Sequence, residues 1–219
     1  MTITRRSLIK SGIVAGAALS LPSILRAQTS SGEARTVGMV MSDLTVYDPI
    51  LSTADITSMH GLAIYDTLFA LDSKLVPQPQ MVANWKVSED KKTYTFELRD
   101  GLGFHDGAPV TAADCVASIR RWGQVDAGEK LIIERASDIA KTGEKTFTIA
   151  LKEPLGILLD SLAEGLYLPI MREKDADRPA TEQVTSAIGS GPFKFNKDLA
   201  KPGASFTYDR NEQYGNYMG

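Results

Sequence analysis

Cysteine and histidine are nearly missing from these 219 residues: there is one cysteine, Cys115, and two histidines, His60 and His105. A lone cysteine allows no intramolecular disulfide and no thiolate cluster for iron–sulfur or structural zinc sites. With two histidines far apart in sequence, a histidine-built catalytic metal centre is not expected, and neither is a cofactor. Enzyme signatures are absent too. The chain has no G-x-S-x-G elbow, no phosphate-cradling G-x-x-x-x-G-K-[ST], no H-E-x-x-H and no G-x-G-x-x-G. Gly189-Ser190-Gly191 runs straight into Pro192, so Ser190 reads as part of a backbone turn, not a nucleophile. What remains is the composition of a folded protein of one or two domains, 43% hydrophobic and 23% charged, with 18 Gly and 10 Pro.

The first 27 residues have a different character. Arg5-Arg6 precedes Ser7-Leu8-Ile9-Lys10 and a mildly apolar run, Gly12–Leu25. That run is shorter than the ~20 residues a membrane-spanning helix needs. A basic start, a short apolar stretch and Ala27 before Gln28 fit an exported leader, and the paired arginines resemble a twin-arginine signal. Gly12, Gly16 and Pro22 argue against an ordinary amphipathic helix. Removing residues 1–27 leaves 20 basic against 27 acidic side chains. No basic stripe survives to neutralise a phosphate backbone, so nucleic acid is not an expected partner. The expected location is the periplasm.

Residues 28–35 read as a linker. Beyond it, alternation predicts an extended Thr36–Met41, and Asp48-Pro49 predicts a turn. Residues 53–68 predict a helix burying Ile56, Met59, Leu62 and Ala63. Asn84–Val87 and Thr93–Arg99 form a hairpin, with Tyr94, Phe96 and Leu98 on its inner face. Thr111 and Asp114 predict the start of a helix carrying Cys115, Ile119 and Trp122 on one buried face. Ile132–Ile139 and Thr146–Leu151 predict a second hairpin whose inner face is Phe147, Ile149 and Leu151. Pro154 opens a short helix through Leu158, Leu159 and Leu162, and Leu166–Met171 returns extended. Residues 172–187 are charged and poorly patterned. Phe193–Phe195 and Ser205–Asp209 are the last strands. The fold class is mixed α/β with antiparallel hairpins.

Single residues are weaker signals. Trp85 and Trp122 both sit on inward patterns and read as core. His105, in Phe104-His105-Asp106-Gly107, reads as a turn residue bonding local backbone. His60 reads as lying on the exposed or half-buried side of its helix. Cys115 reads as a buried, unreactive thiol.

Four stretches together resemble the extracellular solute-binding proteins of family 5, which serve peptide, nickel and opine uptake transporters. They are Asp48-Pro49 followed by Tyr65-Asp66-Thr67-Leu68-Phe69; Pro79–Trp85 leading into Thr93–Gly101; Phe104–Asp114; and Ile188–Phe195 with Arg210-Asn211 and Tyr214. The resemblance implies a type II periplasmic-binding-protein-like fold, of which residues 36–219 would be part of the first lobe. Within it, residues 65–175 would form a hairpin-rich subdomain, and the second lobe would be absent. It implies a monomeric, non-enzymatic periplasmic component of an ABC importer. Such a protein captures a peptide or similar small molecule for a membrane permease and its ATPase. The loop after Asp-Pro lines the family's cleft, and by distance it falls on Thr53, Ala54 and Asp55. Thr53 could equally cap the helix that follows. Family members run to roughly twice this length, so a truncated, non-functional fragment is one alternative expectation. A twin-arginine-exported enzyme is the other, disfavoured by the missing cofactor motifs.

Overall fold

The computed structural model describes residues 36–125, 127–163 and 168–215. The expected leader and linker, with Arg5, Arg6 and Ala27, lie outside the described residues. Thr36–Met41 has no regular secondary structure where a strand was expected.

From Asp55 onward, α1 (Asp55–Ile64) leads into a two-stranded ribbon, β1 (Phe69–Leu71) and β2 (Pro77–Pro79). Then come β3 (Val82–Val87), β4 (Thr93–Leu98), α2 (Ala112–Trp122), α3 (Ala127–Arg135), β5 (Ala136–Lys141) and β6 (Thr146–Leu151). Two short helices, α4 (Leu158–Leu162) and α5 (Glu173–Ala176), precede the hairpin β7 (Phe193–Lys201) and β8 (Ser205–Arg210). The main sheet runs β3-β4-β6-β5, and all its pairs are antiparallel.

Period-two alternation builds the core of this sheet. Tyr94, Phe96 and Leu98 of β4 are buried alongside Phe147, Ile149 and Leu151 of β6. Phe96 and Phe147 are direct cross-strand partners, stacked with ring centroids 5.0 Å apart. Helix α2 contributes Cys115, Ile119 and Trp122 to the same core. Burial, with Asp114 beside it, pushes the Cys115 thiol far above its ordinary range, which keeps it protonated. Asp114 Oδ2 accepts from both the amide (2.8 Å) and the hydroxyl (2.7 Å) of Thr111, while its Oδ1 accepts the Glu173 amide at 2.6 Å. One carboxylate thereby serves the start of α2 and the start of α5.

Five expectations fail here. Trp85 is 38% exposed, because β3 is an edge strand that buries only Val82; its ring packs edge-on against Phe69. Ile132–Arg135 is helical, as strong helix formers on either side of the isoleucine pair outweigh its β preference. Helix α4 begins at Leu158, well past Pro154, and α1 spans only Asp55–Ile64. Most consequentially, α1 buries the wrong face for a hydrophobicity argument. Thr57, His60, Gly61 and Ile64 are inside, whereas Met59 and Leu62 are 45% and 44% exposed. The helix is turned by one residue, roughly 100°. Gly61 accepts Pro49, whose ring carbons would lie about 3 Å from any added Cβ. Thr57 donates its hydroxyl to the Val46 carbonyl at 2.9 Å.

Candidate functional site

The loop after Asp48-Pro49 is held from below and open above. Asp48 Oδ1 accepts the Ile50 amide at 3.0 Å, and the Asp48 carbonyl accepts the amides of Leu51 and Ser52. Thr53, Ala54 and Asp55 follow, contiguous and exposed, where the chain turns into α1. Ala54 occupies the position before the first helical residue and has an extended backbone with no side-chain cap. Thr53 therefore does not cap α1. Ser52 Oγ instead accepts the Ala54 amide at 3.2 Å. Asp55 sits in the first turn, where a negative charge favours the helix.

Sequence reasoning picked out Asp48-Pro49 as a motif but assigned Asp48 no partner, and the partner is decisive. Arg121 on α2 reaches Asp48 with Nη1 at 3.2 Å and Nη2 at 2.7 Å, and both side chains are wholly buried. Asp48 Oδ2 also accepts the Val184 amide at 2.9 Å, and Arg121 Nη2 donates to the Glu182 carbonyl at 2.9 Å. Three distant segments meet on this pair, directly behind the exposed loop.

A second anchor lies at Gly189–Gly191. The Gly191 amide donates to the Ile64 carbonyl at the end of α1, at 2.9 Å. His105 accepts the Gly189 amide on Nδ1 (3.3 Å) and points Nε2 at the Gly191 carbonyl (3.1 Å). Together these contacts demand the neutral Nε2–H tautomer. Burial, the leading cause, lowers the His105 pKa and favours that form. His105 thus bonds backbone some 84 residues away in sequence, not its own turn. Ser190 is buried within this turn, consistent with the backbone reading.

His60 departs furthest from expectation. It is 1% exposed, with Nδ1 2.7 Å from the Tyr208 hydroxyl and its ring edge-on to Tyr47 and Phe195. Burial lowers its pKa to about 4. The polar residues that seat α1 were invisible to a hydrophobic pattern because their partners lie on β8 and in the 46–50 loop.

Surface cavities among the described residues include two of note. One, of about 720 Å³, is lined by α2 residues including Val116 and Arg120, by Lys141, by Glu173 and by residues 176–179. The other, of about 350 Å³, is lined by Tyr47, Phe195 and Lys197 among others. Neither is lined by Thr53–Asp55. Among the described residues, no three His, Cys, Asp or Glu side chains converge as a metal site.

Residues 76–217 match the model of a family described as bacterial extracellular solute-binding proteins, family 5 Middle. A probable peptide ABC transporter periplasmic-binding protein, y4tO, of Sinorhizobium fredii is 66% identical over 98% of this chain and 40% of its own length. The solved structure of AgaA from A.tumefacien R10 with agropinic acid aligns with a TM-score of 0.63 at 29% identity, covering 78% of this chain and 34% of that one. The oligopeptide-binding protein AppA of Bacillus subtilis, with a nonapeptide, aligns with a TM-score of 0.67 at 22% identity, over 80% of this chain and 36% of that one. The chain spans about two-fifths of the length of the Sinorhizobium relative. These neighbours share a type II periplasmic-binding-protein fold, of which the mixed α/β architecture here covers part.

Proposed function

Because the chain belongs to the bacterial extracellular solute-binding proteins of family 5, we propose that it forms part of a periplasmic receptor that captures peptides for an ABC-type importer. The observation that carries this reading is the 66% identity, over nearly the whole chain, to a relative described as a peptide-binding transport component. The family supplies substrate-binding components of transporters rather than enzymes. In this reading residues 36–219 contribute to a first lobe, with residues 65–175 as its hairpin-rich part, and the receptor works as a monomer. Thr53, Ala54 and Asp55 offer main-chain and hydroxyl groups to the ligand. The Asp48–Arg121 pair holds that loop in place beforehand, which lowers the ordering cost of binding. A second lobe, closing about a hinge, supplies the opposing wall. The partners are a membrane permease and its ATPase.

The test is calorimetry against a defined set of di- to pentapeptides. Pockets that hold small molecules bury about 70–90% of the ligand surface, and one wall cannot do so. The 219-residue chain alone is expected to bind no tighter than about 1 mM, a free energy near −4 kcal/mol. A chimera joining residues 36–215 to the complementary remainder of the Sinorhizobium relative is expected to bind in the micromolar range. Thr53→Val in that chimera should weaken binding about tenfold, the scale of one hydrogen bond. A folded chimera that binds no peptide, while the intact relative does, would overturn the assignment.

Export by the twin-arginine route belongs to the same proposal, resting on Arg5-Arg6 before a weakly apolar run. Replacing both arginines by lysine should leave unprocessed precursor in the cytoplasm. Without that change, mass spectrometry should find a mature start at Gln28. Normal maturation of the double-lysine form would refute the route.

A further inference from the structure

We propose that the outer face of α1 is a specificity surface, on which Asp55, Met59 and Leu62 receive the amino-terminal residue of a peptide whose first side chain is large and apolar. This surface extends the Thr53–Asp55 loop and presupposes that the chain forms part of a peptide receptor.

Helix α1 gives up a better-buried arrangement to keep this face outside. Residues 55, 59 and 62 are spaced four and three apart, so they share one stripe of the helix. They are also the exposed residues of α1, the others being buried or half-buried. Met59 and Leu62 stand 45% and 44% exposed, while Thr57 and His60 are buried on the opposite side. That choice has a cost, because Nε2 of His60 is closed off from solvent without a hydrogen-bond partner. Turning the apolar stripe inward would remove the cost and bury both large side chains. Local burial rules are broken in this way where a surface is kept for function.

Charge narrows the ligand further. Residues 36–73 hold Asp43, Asp48, Asp55, Asp66 and Asp72, and neither lysine nor arginine. Four of these carboxylates are occupied. Asp48 pairs with Arg121, and Asp43 accepts the Gly203 amide at 2.8 Å. Asp66 is buried, and Asp72 accepts the amides of Lys74 and Val76 within its own turn. Among the described residues, no ion pair engages Asp55, which is exposed in the first turn of α1. Its full negative charge outweighs the roughly half positive charge of the helix start. The complement is a cation set beside an apolar group, which is what the free ammonium and first side chain of such a peptide provide. Along the axis, Met59 lies about 6 Å and Leu62 about 10 Å beyond Asp55. Helical side chains lean toward the N-terminus, so both lean back toward the carboxylate. Methionine also adapts to side chains of different shape.

Calorimetry on the chimera with three tripeptides, Leu-Gly-Gly, Gly-Gly-Gly and N-acetyl-Leu-Gly-Gly, tests the surface. Leu-Gly-Gly should bind about tenfold more tightly than either of the others. Replacing Met59 and Leu62 together by serine should cut its advantage over Gly-Gly-Gly to less than about twofold. Both side chains are exposed, so this double variant should fold as the parent does. Asp55→Asn should cut the penalty of acetylation to a similar degree. An undiminished leucine preference in the serine variant would overturn the proposal and leave the receptor reading intact. An equal loss for all three peptides would overturn it too, by showing that the face packs against the second lobe. So would a chimera that binds longer peptides but none of these three. A chimera that binds no peptide at all would overturn both readings.

Discussion

Gly189→Ala is expected to cost more than about 4 kcal/mol and to leave little folded protein, from the change of a single hydrogen to a methyl group. A Cβ at this position would lie 1.8 Å from the Ile64 carbonyl oxygen, 2.6 Å from the Ile64 carbonyl carbon and 2.8 Å from Cδ1 of Tyr65. The first two obstacles are backbone at the end of α1, and no rotamer change relieves them. Moving the turn away would break the hydrogen bond from the Gly191 amide to the Ile64 carbonyl and both His105 contacts. Whole domains are held by about 5–15 kcal/mol, so such a loss takes most of the reserve. Gly101→Ala makes an informative control. Gly101 has φ of +78° and open space around it, so it tests backbone conformation alone, at about 1–2 kcal/mol. Urea unfolding of the two variants separates the effects. If Gly189→Ala were no worse than Gly101→Ala, the tight seat of α1 against this turn would be wrong.

Breaking the buried ion pair should be nearly as severe. Arg121→Met strands the Asp48 carboxylate with only the amides of Ile50 and Val184 for company. Asp48→Ala strands a guanidinium that retains one carbonyl, that of Glu182, at 2.9 Å. Each single change is expected to cost about 3–5 kcal/mol, because a fully buried charge loses its partner. The double variant should cost clearly less than the sum, since no unpaired charge is left behind. Additive losses in the double-mutant cycle would show that the two side chains act separately. A binding consequence accompanies the loss of stability. With Asp48 gone, the loop bearing Thr53 loses the amide contact that shapes it.

The strands with one wet face could be read from the sequence because alternation reports which side faces a core. Tyr94-Phe96-Leu98 and Phe147-Ile149-Leu151 come out as expected. So did the start of α2 at Thr111 with Asp114 in its first turn, signals that are local in sequence. Helix α1 could not be read this way. Its buried face is chosen by hydrogen-bond partners more than a hundred residues away in the case of His60, and by the close approach of Pro49 to Gly61. A polar residue looks exposed until its partner is known. The same limit hid the role of Arg121, which an amphipathic pattern would place at the surface. Trp85 failed for another reason: alternation tells which face a residue is on, but not whether the strand lies at the sheet's edge.

Long-range seating of α1 has a consequence for the chain as it leaves the ribosome. The main sheet lies within residues 82–151 and can pair as soon as those residues emerge. His60 must wait for Tyr208, 148 residues later, and Asp48 must wait for Val184, 136 residues later. At a synthesis rate of about 5–20 residues per second, the interval for His60 is roughly 7–30 s. Throughout it, the inner face of α1 has its contacts with Val46 and Pro49 but not the partner of His60, while the hairpins downstream are already able to close. The first helix of the domain in sequence is thus among the last elements to be locked in place.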